Sequence, residues 1–67
     1  MRLRVDTDAD ALYLRLDDSE ITESVEVAPG VVLDYDAANN VVEVETHHLS
    51  ARSHSFEASE LHFETVP

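Results

Sequence analysis

The chain has no cysteine, no tryptophan, no lysine, one glycine and two prolines in 67 residues. Without cysteine it cannot build a disulfide framework, a thiolate metal site, an iron–sulfur cluster or a thiol nucleophile. Long apolar runs are missing too. Nothing approaches the ~18 residues of a membrane span, and Met1 to Asp10 lacks the apolar core of a signal peptide. A soluble cytoplasmic protein with no membrane association is the expectation. Cations are scarce: four basic residues stand against 15 acidic ones, for a net charge of −11. Phosphate neutralisation needs clustered Lys and Arg, so direct nucleic-acid binding is excluded on Coulombic grounds.

What is present reads as one small folded domain, residues 1–67. Hydrophobic residues make up 43 % of the chain and are patterned, so the acidity belongs to a solvated surface and not to disorder. A salt-adapted or GC-rich source would account for the bias toward Asp, Glu, Ala and Val. A chain this short buries only ~60 % of the surface its unfolded form exposes, so association with a partner or with itself is expected.

Alternation of apolar and polar residues organises most of the chain. Met1, Leu3 and Val5 alternate with Arg2, Arg4 and Asp6. After the polar turn Thr7 to Asp10, Leu12, Leu14 and Leu16 alternate with Tyr13 and Arg15. Ile21, Glu23, Val25 and Val27 form a third segment that bends or starts late at Glu23. Ala28-Pro29-Gly30-Val31 has Pro and Gly where a type II turn needs them. Val31 to Asp36 and Val41 to Glu45 are the fourth and fifth segments, joined by a loop in which Asn40 is expected to take the left-handed position. The fold class expected is mainly β (α+β at most), an antiparallel meander of about five strands. Beyond His47 the period is ambiguous. Leu61, Phe63 and Thr65 could form a final strand, and Ser50 could cap a short helix. Phe56, Leu61 and Phe63 are the expected anchors of a tail that packs on the sheet or on a neighbouring subunit.

Two stretches carry a family resemblance: Asp8-Ala9-Asp10-Ala11-Leu12-Tyr13-Leu14-Arg15-Leu16, and Pro29-Gly30-Val31-Val32-Leu33-Asp34-Tyr35-Asp36 followed by Val41-Val42-Glu43-Val44-Glu45. Over Met1 to Arg52 the chain resembles the YuzE-like family, domain-of-unknown-function family 2283. The resemblance implies a compact, mainly antiparallel sheet and no established activity, with members that look like partners of small toxin-like proteins. The chain departs from the usual pattern where Asn39 and Asn40 stand in place of a common Gly, and where histidines crowd the segment after Glu45.

Several constellations bear on chemistry. Asp6, Asp8, Asp10 and Asp17 have calcium-loop spacing, but Ala11 occupies the position where the sharp turn requires Gly. His47, His48, His54 and His62 with neighbouring glutamates offer a metal-ligand composition without any HExxH-type spacing. If strand geometry persists, His47 and His48 point to opposite faces. No serine is presented by a nucleophile turn and no glycine builds an oxyanion hole, so no catalytic residue is assigned and no cofactor is expected. Arg2, Arg4 and Arg15 share the outward side of the first hairpin with Tyr13, and Glu26, Asp34, Glu43 and Glu45 fall on the corresponding side of the later strands. This arrangement fits cross-strand ion pairing or a docking surface.

Together these features point to a non-catalytic, antitoxin-like module that binds a small basic protein and also forms homo-oligomers. Its interface candidates are Arg2, Arg4, Tyr13, Arg15, Phe56, Leu61 and Phe63. The competing expectation is an oligomeric metal-binding protein or enzyme using the C-terminal histidines at a subunit junction.

Overall fold

A computed structural model describes residues 1–53 and 57–67, so His54 and Phe56 lie outside the described residues. Five strands form one antiparallel sheet: β1 (Arg2–Asp6), β2 (Ala11–Arg15), β3 (Glu23–Ala28), β4 (Val31–Tyr35) and β5 (Val41–His47). A short helix α1 (Leu49–Arg52) and a 3-10 turn (Ala58–Glu60) follow. The mainly β class and the strand count match the alternation pattern, and β3 does start at Glu23.

The strand order is β1-β2-β5-β4-β3, which corrects the expected meander order. A β1–β2 hairpin and a β3–β4–β5 meander join through β2 and β5. Alternation fixes which face each residue takes but not which strands are neighbours, and residues 16–22 are long enough to carry the chain to the far edge of the sheet.

The turns follow their chemistry. Gly30 takes φ 75° in the β3–β4 turn, as the Pro-Gly pair requires. In the β4–β5 loop the left-handed residue is Asn39 (φ 66°), one position before the expected Asn40. The Asn39 amide donates to the Asp36 carbonyl, and Asp36 Oδ1 accepts from the Ala38 and Asn40 amides. That pattern closes a tight turn at Asn39, and the next residue reverses direction.

Helix α1 ties the two hairpin turns together at one end of the sheet. The Leu49 amide donates to the Asp10 carbonyl, Ser50 donates to the Asp10 carboxylate, and Arg52 donates to the carbonyls of His47 and Pro29. Leu49 is buried there.

Register places two apolar rows on one face: Leu3–Leu14–Val44–Leu33–Val25 across all five strands, and Val5–Leu12–Thr46–Val31–Ala28 beside it. Among the described residues only Ala11, Val42 and Leu49 are buried apolar residues, whereas Leu3, Leu16, Val25 and Val27 are 37–51 % exposed. Contacts between elements run chiefly between paired strands, so among the described residues the sheet is a single layer. Of the expected tail anchors, Leu61 and Phe63 do not cover it. Leu61 is 43 % and Phe63 82 % exposed, and residues 61–67 form no strand. The segment keeps strand spacing at Leu61 and Phe63 yet pairs with neither outer strand, β1 or β3. No helix among the described residues is long and apolar enough to cross a membrane.

Candidate functional site

The opposite face carries the polar chemistry in three cross-strand rows. Arg2–Arg15–Glu43–Asp34–Ser24 is the first, Arg4–Tyr13–Glu45–Val32–Glu26 the second, and Asp6–Ala11–His47 the third. Cations therefore gather over β1 and β2 and carboxylates over β4 and β5.

On the cationic side, the Arg4 guanidinium lies 4.5 Å above the Tyr13 ring, and Tyr13 meets His47 edge to face at 5.8 Å. The cross-strand pairing expected from the sequence occurs once among the described residues: Arg15 Nη1 lies 3.7 Å from Glu43 Oε2. Arg15 makes its shorter contacts elsewhere, donating to the carbonyls of Asp17 (2.7 Å) and Ser19 (2.5 Å). Its charge is thus drawn toward the loop after β2. Arg2, Arg4, Tyr13 and Arg15 line a shallow groove of about 430 Å³ together with Leu3 and Glu43.

On the anionic side, a bulge decides the geometry. Tyr35 pairs with Val41 and Asp34 with Glu43, so Val42 is an extra residue in β5. The bulge turns the strand register so that Asp34 and Glu43 meet on one face and Leu33 and Val44 on the other; re-aiming side chains is what such insertions do. Ligand oxygens of Asp34, Glu43 and Glu45 lie within 4.8 Å of one another. Asp34 is 1 % exposed. Its Oδ1 accepts from Ser24 Oγ at 2.5 Å, and its Oδ2 is buried with no hydrogen-bond partner. Contact with Asp34 and then burial push the Glu45 carboxyl above the usual carboxylate range, against a lowering pull from His47, whose Nε2 is 3.0 Å from Glu45 Oε1.

The histidines fall differently from the sequence expectation. His48 adopts φ 58° and ψ 47° at the start of α1, so strand geometry ends there. Instead of facing opposite ways, His47 and His48 line a common open depression of about 690 Å³ with Glu26, Pro29 and Arg52. His62 is exposed beside Glu64 at 3.7 Å. Among the described residues, the three-donor set within metal-ligand reach is Asp34, Glu43 and Glu45, without a histidine.

Asp34 was legible only as one acid on the polar face. The hairpin loop would have brought β4 and β5 together, but the extra residue at Val42 decides which acid faces Asp34, and alternation does not reveal a bulge. No curated protein and no solved structure matches the chain. A family model described as "Protein of unknown function (DUF2283)" matches residues 2–50, which spans all five strands and the start of α1. The chain belongs to that family.

Proposed function

We propose that this chain is a non-catalytic protein-binding module whose apolar sheet face receives a small basic protein, in the manner of an antitoxin. The observation that carries the reading is the open row Leu3–Leu14–Val44–Leu33–Val25, with both ends more than a third exposed. A sheet with one apolar face must bury it against a second layer, and this chain supplies no such layer among its described residues. Full burial of a Val or Leu contributes ~1.5–3 kcal/mol; these side chains are already half-covered, so each adds a fraction of that, and several together hold a complex.

Charge selects the occupant. At −11, the chain repels a second copy of itself and attracts a cationic surface, and its exposed acids steer the encounter. Apolar contact then supplies residence time. The direct test titrates the product of the adjacent gene, which the reading requires to be basic, against the full chain by calorimetry. A 1:1 complex that weakens with salt and is lost in Leu33→Asp, while the variant keeps its β-sheet circular dichroism, is the expected result. Sedimentation of the chain alone supplies the opposing outcome. If it dimerises tightly at physiological salt and Leu33→Asp yields monomers, a second copy covers the face and the basic-partner reading is overturned.

A further inference from the structure

On the other face of the sheet, we propose that Asp34, Glu43 and Glu45 form a binding site for one hard divalent cation of the Ca²⁺, Mn²⁺ or Mg²⁺ type. The site is independent of the apolar face and of what covers it.

The geometry begins with Asp34. Its carboxylate is held by Ser24 through Oδ1, which fixes its orientation and leaves Oδ2 buried and without a hydrogen-bond partner. A buried acceptor without a donor is costly, and more so for a charged group. The bulge at Val42 then sets Glu43 directly across from Asp34, with Glu45 two residues further along the same face. Directly opposed like charges destabilise a strand pair. A fold that needed only to expose acids would have placed these three in water.

The protein's own cations do not neutralise the cluster. Arg15 reaches a single oxygen of Glu43 at 3.7 Å, while its shorter bonds go to the carbonyls of Asp17 and Ser19. His47 engages Glu45 Oε1 alone. Asp34 Oδ2 and one oxygen of each glutamate remain available, three oxygen donors from two adjacent strands. A proton shared between Asp34 and Glu45 would relieve one contact, but a divalent ion relieves all three.

The donor set selects the ion class. Three carboxylate oxygens and no sulfur suit hard cations. Two oxygens bound to one Ca²⁺ can lie up to ~5 Å apart, and on Mg²⁺ up to ~4 Å, from metal–oxygen distances of 2.3–2.6 and 2.0–2.1 Å. The 4.8 Å outer span falls inside the Ca²⁺ limit and exceeds the Mg²⁺ one, so the smaller ion needs the carboxylates to draw in. Glu43 and Glu45 side chains are 16 % and 19 % exposed, so solvent can complete the coordination shell.

The test uses the full chain, freed of metal by chelator at pH 7.5. Mn²⁺ binding is followed by electron paramagnetic resonance, with Ca²⁺ and Mg²⁺ as competitors. One saturable Mn²⁺ per chain is expected, displaced by Ca²⁺, weakened at least tenfold in Asp34→Asn and in Glu45→Gln, and unchanged in Asp8→Asn. Asp34→Asn removes a charge from a crowded anionic cluster, so its melting temperature without metal should stay level or rise. That separates loss of the site from loss of the fold. The proposal is overturned by equal uptake in wild type and Asp34→Asn, by absence of saturable binding, or by paramagnetic broadening confined to the histidine rings.

Discussion

Glu45 and Asp17 show how single contacts set opposite responses to acid. The Glu45 carboxyl titrates above its ordinary value because it touches Asp34 and is partly buried. The folded chain therefore holds that proton more tightly than the unfolded chain does. The favourable contribution is complete below the ordinary value of 4.5 and is lost as pH rises through the raised one. Asp17 is the reverse case: Ser19 donates to it from both hydroxyl and amide and holds its carboxyl below 3.8. Its contribution is present above that value and lost as pH falls through the lower one. Urea denaturation across pH 3 to 7 in chelator should show both limbs. Glu45→Gln should flatten the decline on the neutral side, and Asp17→Asn should flatten the acid side. Neither residue stands out in the sequence among the chain's 15 acids, because the difference lies in what register and turn geometry bring beside each one.

At the level of elements, the strands were legible and their assembly was only half so. Alternation marked Arg2–Asp6, Ala11–Arg15 and Val31–Tyr35 because a one-sided sheet enforces a period of two. The Pro29-Gly30 turn was equally plain. The insertion of β5 between β2 and β4, the bulge at Val42 and the left-handed Asn39 were not, since each depends on which backbone groups meet across strands. The tail misled for a related reason: Leu61 and Phe63 have strand spacing, but no strand edge receives them. The Pro29-Gly30 turn also shows how α1 holds the sheet's end. A Cβ at Gly30 would lie 3.1 Å from Arg52 Nη2 and 3.2 Å from the His47 carbonyl oxygen, at a φ of 75°. Gly30→Ala should therefore cost about 1 kcal/mol or more, through backbone strain and a displaced Arg52. The urea midpoint measures it.

For the whole molecule, charge and layering act together. A net −11 on so small a body stores self-repulsion that salt screens within about a Debye length, ~10 Å at 0.1 M. The melting temperature should rise as NaCl increases from 10 mM toward 0.5 M, and differential scanning calorimetry checks it. A flat or falling curve would mean that the local attractions, Arg15 with Glu43 among them, outweigh the global repulsion.

The two outer strands limit how such a molecule can grow. β1 presents Arg2, Arg4 and Asp6 along one margin, and β3 presents Glu23 and Glu26 along the other, every residue of it exposed. Charged margins discourage the pairing of further chains edge to edge. Whatever joins this protein is steered to laminate onto its greasy side, and fibres that lengthen strand by strand are disfavoured from the outset.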